Sequence, residues 1–351
     1  MGVSIVIGGQ YGSEGKGKVA NYFASKFNAD IVMRVGGTNS GHTVYWDDKK
    51  YVLKVLPAAA VGNDSKIVIP SGQYVNLDIL KEEIELLQLD DLRLKIDPFA
   101  VIITEDNIKE EVTKCMNASI GSTQSGTGSA VVSRIKRDGT VVFAKDIKHL
   151  EQYLTDTKKY LRDKLDRGCS IVVEGTQGFG LSVLHSDEYP YVTARDTTAA
   201  GVLSEIGLSP FDVAHIILVI RAYPIRVAGN SGELKNEVDW EFVTSNSGSS
   251  EKIEELTSVT KRVRRVAEFD PEIVKRAISV NDPDVIVMNH LDYIDSTISE
   301  GELSHKSLSF VKDVESSIGH YIDLLGVNTT DFVERKEELD INHMDIRDIL
   351  N

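Results

Sequence analysis

The residues best suited to chemistry begin with a glycine-rich turn, Gly12-Ser13-Glu14-Gly15-Lys16-Gly17-Lys18. It follows Val3-Ser4-Ile5-Val6-Ile7, a β-favouring run. It precedes Val19, Ala20, Tyr22 and Phe23, spaced to face a core from a helix. Strand, glycine loop and helix together present backbone N–H groups and a positive helix end to a phosphate. The turn fits the phosphate-loop pattern G-x4-G-K, but Val19 stands where that pattern has Ser or Thr to hold Mg2+. A tight turn with no ligand is the competing reading. Lys16 and Lys18 argue for phosphate, because turns packed against a sheet rarely contain lysines. Lys16 could neutralise charge on a transferring phosphoryl group, or could be a solvated surface lysine.

Five further stretches invite attention. Gly36-Gly37-Thr38-Asn39-Ser40-Gly41-His42-Thr43 closes the run Ile31–Val35 and puts a histidine in a polar loop beyond a strand. Such a histidine is structural or a general acid–base; the glycine-loop setting favours the second. Residues 117–130, rich in Gly, Ser and Thr, read as a linker or a ligand loop; the unchanged composition on either side favours a ligand loop. Glu174-Gly175-Thr176-Gln177-Gly178 follows the apolar run Ser170–Val173. Thr260-Lys261-Arg262-Val263-Arg264-Arg265 is basic in an acidic chain: a solvated face, a patch for anionic partners, or arginines able to grip a carboxylate bidentately. Asn289-His290-Leu291-Asp292 resembles the N-K-x-D base-reading motif with His for Lys. An Asp there accepts from guanine and discriminates against adenine.

Rigid elements must bring these stretches together. Ile31–Val35, Lys66–Ile69, Ala100–Ile103, Ser170–Val173, Ile216–Ile220 and Val285–Met288 read as strands. Leu77–Leu89, Asp106–Met116 and Asp146–Asp166 read as helices. Apolar strands without alternation indicate a mostly parallel sheet covered on both faces, an α/β fold. Ligands of open α/β sheets bind at the carboxyl ends of the strands, so several polar loops there define one shared site.

The 351 residues suffice for one large α/β domain or two modest ones. A net charge of −15, from 54 acidic and 39 basic residues, argues against a nucleic-acid-binding surface but allows a local basic pocket. Only Cys115 and Cys169 are present, which points to a reducing compartment and no disulfide framework. No signal-peptide pattern and no apolar run of membrane-spanning length is visible, so the cytosol is the expected location.

The segments GGQYGSEGKGK, GGTNSGHT, IGSTQSGTGSA, VEGTQGFGLS, YPYVTARDTTAAG, SVTKRVRR and NHLD together resemble adenylosuccinate synthetase, most closely its shorter archaeal-type forms. The resemblance implies a single domain, residues 1–351, with a mostly parallel central sheet flanked by helices, related to P-loop nucleotide hydrolases and working as a homodimer. It implies a Mg2+-dependent reaction in two steps. A nucleoside triphosphate phosphorylates the 6-oxo group of a nucleotide, then aspartate displaces the phosphate. By position, His42 matches the general acid that stabilises the transferring γ-phosphate, and Lys16 a phosphate contact. The triphosphate is implied to meet Gly12, Glu14, Gly15, Lys16, Gly17, Lys18, Gly41, His42, Thr43, Arg264, Asn289, Leu291 and Asp292, the last reading its base. Ser13, Asn39, Ser122, Thr123, Gln177 and Thr193 match contacts to the monophosphate, and Arg137 an arginine that reaches the neighbouring subunit's substrate phosphate. Ser258, Val259, Thr260, Arg262 and Arg264 match the aspartate loop; position 13 and the carbonyl of Gly41 match Mg2+ contacts.

The chain departs from the family at Ser13. The family's loop reads G-D-E-G-K-G-K, and its Asp takes the proton from N1 of IMP. A hydroxyl is a poor general base; Glu14 or a water held by Ser13 or by metal are the other acceptors in reach. Guanine carries a 2-amino group beside N1, which Asp would crowd and Ser could accept a hydrogen bond from. The change resembles the phage branch of the family, the N6-succino-2-amino-2′-deoxyadenylate synthases. These join dGMP to aspartate with ATP or dATP on the way to diaminopurine in phage DNA. The family's T-G-R-R-R-R becomes Thr260–Arg265, and no guanine-holding S-T-G-P is recognisable around Asn328-Thr329-Thr330-Asp331; both weigh against GTP. The expected function is a ligase making 2-amino-N6-succinyl-dAMP from dGMP, L-aspartate and ATP or dATP. The alternative is an archaeal-type adenylosuccinate synthetase acting on IMP with GTP. Retention of Lys16, His42 and the aspartate loop counts against a catalytically silent nucleotide binder. The missing Ser or Thr after Lys18 counts against a generic P-loop hydrolase.

Overall fold

Unbroken apolar strands need cover on both faces, and the computed structural model, which describes residues 2–257, 261–298 and 302–335, supplies it. The strands begin with β1 (Val3–Gly8), β2 (Ile31–Arg34), β3 (His42–Trp46), β4 (Lys49–Leu53), β5 (Lys66–Ile69), β6 (Tyr74–Val75), β7 (Leu94–Ile96) and β8 (Val101–Ile102). They continue with β9 (Ile171–Glu174), β10 (Val213–Arg221), β11 (Ile225–Arg226), β12 (Glu237–Val238), β13 (Arg265–Ala267), β14 (Val285–Asn289), β15 (Leu324–Gly326) and β16 (Phe332–Glu334). The helices are α1 (Lys16–Lys26), α2 (Leu77–Leu86), α3 (Glu105–Thr113), α4 (Met116–Ile120) and α5 (Thr127–Lys136). After them come α6 (Thr157–Asp166), α7 (Ala199–Ile206), α8 (Trp240–Ser247), α9 (Pro271–Asn281) and α10 (His305–Ile318).

Nine strands form one sheet in the order β16-β15-β14-β10-β1-β9-β2-β5-β7. Every pairing in it is parallel except β15 with β16. Successive strand residues enter two different cores. Ile5, Ile7, Leu218 and Ile220 pack with Val202 of α7, Val274 of α9 and Val311 of α10. Val6, Ile217 and Val219 pack with Phe23 of α1 and Leu80 of α2. Both faces are apolar, so the strands carry no polar alternation. Among the described residues no helix is long and apolar enough to cross a membrane.

Some local expectations fail for identifiable reasons. The span Asp146–Asp166 is not one helix: tight turns cover Lys148–Tyr153, and α6 starts only at Thr157. There the Asp156 side chain accepts from the Lys159 amide at 3.2 Å, and the Thr155 amide is drawn to the Ile96 carbonyl of β7 at 2.9 Å. The helix expected over Asp106–Met116 is cut at Thr113, and Cys115, with φ 50°, starts a separate short helix. The loop expected over 117–130 narrows accordingly, since α5 begins at Thr127 behind Gly126. Val101–Ile102 pairs with β6 in a small separate sheet rather than in the main one. His42 and Thr43 open the hairpin β3–β4 instead of ending a loop.

That hairpin is anchored by one buried carboxylate. Glu83 of α2 accepts from the amides of Lys54 (2.5 Å), Val55 (3.1 Å) and Leu56 (2.7 Å), just beyond β4. Burial pushes its carboxyl above the usual range, against the pull of those amides. Glu83→Ala leaves three buried donors unpaired. We expect it to lower unfolding free energy by about 2–4 kcal/mol in urea titrations, whereas Glu83→Gln loses less.

Candidate active site

The glycine turn is shaped from inside by a carboxylate. Glu14 is fully buried: its Oε1 accepts from the amides of Gln10 (3.2 Å) and Gly12 (2.7 Å), and its Oε2 pairs with Lys16 Nζ at 2.6 Å. The Glu14 side chain therefore points into its own loop, so any contact of Glu14 with a triphosphate falls to its backbone, and its carboxylate is already engaged by two amides and Lys16. Gly15 sits at φ 89°, and an added Cβ would lie 2.6 Å from Asn289 Nδ2, which itself donates to the Glu14 carbonyl at 2.7 Å. Helix α1 starts at Lys16 with no side-chain cap and no acidic residue in its first turn, which leaves its N-terminus open to an anion. Val19 is buried in the core, so nothing at that position reaches toward a metal.

A cavity of about 900 Å³ opens over this turn at the carboxyl ends of the strands. It is lined by Gly12, Ser13, Gly15, Lys16, Gly17, Lys18, Asn39, Gly41, His42, Thr43, Ser122, Thr123, Gln177, Arg262, Arg264, Asn289 and Asp292, all expected from sequence. Four expected residues stand elsewhere. Glu14 and Leu291 are buried beneath it. Thr193 lies behind the wall, its amide bonded to the Leu181 carbonyl at 2.8 Å. Arg137 is exposed at the end of α5, away from this cavity. Ser258, Val259 and Thr260 lie outside the described residues; the strand-like bridge Leu256–Val263 and the bond from the Arg262 amide to Thr257 Oγ1 at 3.0 Å flank them.

His42 is held by groups that sequence reading did not select. Its Nδ1 bonds Glu174, the last residue of β9, whose other oxygen takes the Ala58 amide at 2.7 Å. Burial, with Arg34 close by, pulls the imidazole down to about 4. Burial pushes the Glu174 carboxyl up, but His42 and Arg34 outweigh it and hold it below the usual range. The pair thus stands as neutral imidazole against carboxylate, with Nδ1–H donating and Nε2 left for the cavity. Arg34, the last residue of β2, is fully buried and donates to the carbonyls of Leu53 (2.9 Å) and Ser40 (2.8 Å).

A second ionic group sits under Ser13. Arg221, the last residue of β10, is fully buried; it donates to the Ser13 carbonyl at 2.8 Å and pairs with Glu255. Burial pushes Glu255 up, yet Arg221, His290 and Arg264 bring it down to about 2. Arg264 donates to Ser13 Oγ and, through Nε, to the Leu256 carbonyl at 3.2 Å. Arg34, Glu174 and Arg221 share a legible signal: each is a charged residue closing the buried apolar run of a strand.

The far end of the cavity holds His290, Asp292, Tyr293, Asn328 and Thr329. Burial raises Asp292 to about 6, and its Oδ1 has no hydrogen-bond partner. His290, with φ 65°, lies 5.0 Å from the Tyr293 ring and is pulled down to about 3 by burial, next to Arg221. Lys18 Nζ does not point at the glycine turn. It donates to the carbonyls of Asn328 (2.8 Å) and Asp331 (2.9 Å), and burial lowers it to about 7.

Among the described residues no cluster of three His, Cys, Asp or Glu side chains could hold a metal alone. Ser13 and Gly41 line the cavity and could each offer one oxygen to a cation that keeps waters and phosphate oxygens, as Mg2+ does. Both Ser13 oxygens accept from arginines here, so position 13 fits such an ion only once Arg264 has left its hydroxyl.

A parallel sheet whose strand ends gather an open helix N-terminus, a histidine–carboxylate pair and clustered arginines defines an α/β protein of the anion-binding, nucleotide-handling class. The adenylosuccinate synthetase family model matches residues 5–145 and 142–300. The adenylosuccinate synthetase of Methanosphaera stadtmanae is 32% identical over 96% of this chain and 99% of its own length. That of Methanococcus vannielii is 35% identical over 93% and 96%. Among solved structures, cyanophage S-2L succinoaminodeoxyadenylate synthetase bound to dGMP and dATP is 29% identical, with TM-score 0.80 over 95% of both chains. Fully ligated adenylosuccinate synthetase from Plasmodium falciparum, 21% identical, has the same fold: TM-score 0.83 over 96% of this chain and 100% of that one. The chain belongs to the adenylosuccinate synthetase family, whose members are carbon–nitrogen ligases of purine biosynthesis and are generally Mg2+-dependent.

The histidine predicts an acid response. An unfolded chain binds protons at His42 below about pH 6.5, whereas the folded one resists down to about 4, so this residue costs stability as pH falls through that window. Asp292 and Glu205, both raised, give the opposite slope. Comparison with a variant isolates the effect. His42→Gln should lose less stability than the parent between pH 6.5 and 4, read from urea midpoints; equal losses would assign the acid response to other groups.

Proposed function

We propose that this chain, acting as one domain, joins L-aspartate to dGMP with ATP or dATP as phosphoryl donor. The products are 2-amino-N6-succinyl-2′-deoxyadenylate, phosphate and the nucleoside diphosphate. The observation that carries the reading is Ser13 at the cavity wall, where the family has an Asp that would crowd a 2-amino group. The likeness to the cyanophage enzyme bound to dGMP and dATP supports it. The second reading is IMP with GTP. The named relatives, 32–35% identical and called adenylosuccinate synthetases, support that one more directly.

The residues divide the work as follows. The open N-terminus of α1 and Lys16 receive the triphosphate tail, Lys16 leaving Glu14 partly for phosphate. Glu174 keeps the His42 proton on Nδ1. The charge of an incoming γ-phosphate raises Nε2 until it binds a proton, which turns it into a donor to the migrating group. Arg262 and Arg264, with Ser258, Val259 and Thr260, grip the aspartate carboxylates, Arg264 giving up its bond to Ser13. Asn39, Ser122, Thr123 and Gln177 hold the monophosphate, with Thr193 supporting the wall behind them. Mg2+, met by Gly41 and position 13, would neutralise charge on the triphosphate.

Phosphate release measured with IMP or dGMP, crossed with GTP, ATP and dATP in the presence of aspartate, tests the reading. Turnover of dGMP with ATP or dATP supports it, and turnover confined to IMP and GTP selects the second. Ser13→Asp should lower kcat/KM for dGMP roughly tenfold or more, through the lost hydrogen bond and the crowding. An unchanged value removes Ser13 from the specificity argument.

We also propose a homodimer with shared sites. Arg137 is exposed and clear of its own cavity, as an arginine serving a neighbour's substrate phosphate would be. Mixing Arg137→Leu with Lys16→Gln, each weak alone, should restore activity, because one site of each heterodimer is then intact. No recovery despite verified subunit exchange would place Arg137 outside the partner's site.

A further inference from the structure

From the contacts of Lys18 we infer that it is a positioning residue for the base of the donor nucleotide, acting through the turn between β15 and β16 rather than on phosphate. The inference rests on the reading above, in which the end of the cavity around Asp292 receives that base.

Lys18 is the third residue of α1, so its amide lies in the open first turn while its side chain is free to go elsewhere. The ammonium spans 310 positions of sequence to the Asn328 carbonyl at 2.8 Å, and it also reaches the Asp331 carbonyl at 2.9 Å. It sits 3.9 Å from the centroid of the Phe332 ring, a cation–π contact that fixes its direction. Two of its three N–H donors are therefore spent on the turn. Phe332 is in turn packed on Tyr22 of the same helix, with centroids 4.8 Å apart.

The turn is built to hold one shape. Asn328 Oδ1 accepts from the amides of Thr330 (2.8 Å) and Asp331 (2.7 Å), and its Nδ2 donates to Asp331 Oδ2 at 2.6 Å. Gly326 precedes it because a side chain there would collide with the side-chain amide oxygen Oδ1 of Asn289, which itself has no hydrogen-bond partner. Asn328 and Thr329 face the same cavity as His290 and Asp292. Lys18 thus joins the helix that begins at the glycine turn to the loop beside the base reader. A contact that fixes a loop by two charge-assisted bonds acts on whatever that loop touches. A phosphate contact would act on the tail alone.

The two roles separate by experiment. The base-dependent part of donor affinity is the ratio of Ki for inorganic tripolyphosphate to KM for the better nucleoside triphosphate. Lys18→Met should lower that ratio about tenfold, the size of one lost charged hydrogen bond, with kcat changed less than about twofold. Lys18→Arg should recover part of it. Phe332→Leu keeps the lysine but removes the ring, and should give a smaller loss of the same kind, which covers the case of a poorly folding Lys18→Met. A ratio unchanged within twofold in the folded variants, or equal weakening of tripolyphosphate and nucleotide, overturns the proposal. Asp292→Asn tells its failure from that of the underlying reading. If this variant leaves preference among ATP, dATP and GTP untouched, the reading of that end falls and the proposal with it. If preference shifts while Lys18→Met keeps its ratio, the proposal alone falls.

Discussion

The site depends on charges buried at the ends of apolar strands. Arg34, Glu174 and Arg221 close β2, β9 and β10, and each is almost wholly out of water. A buried charge is tolerable only when paired and hydrogen-bonded. The partners here are the loops themselves: Arg34 takes carbonyls of Ser40 and Leu53, Glu174 takes His42 and the Ala58 amide, and Arg221 takes the Ser13 carbonyl and Glu255. Satisfying three charges thus positions three walls of the cavity. Losing any one of them leaves its own buried partners unpaired, so each wall depends on the charge beneath it.

The glycine turn repeats this logic at smaller scale. Glu14 is a counter-ion built into the loop, and it holds the Gln10 and Gly12 amides and the Lys16 ammonium at once. In a chain of net charge −15, a receptive anion site needs local positive potential that is kept in check while empty. Lys16, Arg264 and Lys18 are each matched by protein groups: a carboxylate, a serine hydroxyl and two carbonyls. An anion entering here would exchange partners with these cations rather than desolvate bare ones, which would keep the electrostatic cost of its binding low.

Ser13 lies where these networks meet. Its carbonyl is bonded to Arg221 and its hydroxyl to Arg264, so the residue that departs from the family pattern touches both the buried Arg221–Glu255 pair and the basic segment proposed to receive aspartate. An Asp in its place would form an ion pair with Arg264 in the same geometry. Ser in place of the family's Asp therefore changes the charge facing Arg264 at the centre of the cavity. The chain keeps the family's fold at 32–35% identity to named relatives.

Sequence alone was enough for the class of fold, for most cavity-lining loops and for the place of His42 among them, because strand periodicity, glycine turns and their order are local properties. It failed where local pattern was overruled by distant partners. Asp146–Asp166 reads as helix, but pairing of Thr155 with β7 breaks it. Glu14 and Lys18 stand in the turn as ligand contacts, yet one folds inward on its own loop and the other reaches to Asn328. Glu174 lies 132 positions from His42, and Arg221 lies 208 from Ser13. Which side chains meet across such separations is decided by sheet order and register. Those follow from the packing of two cores around nine strands, a property of the whole chain that no short motif contains.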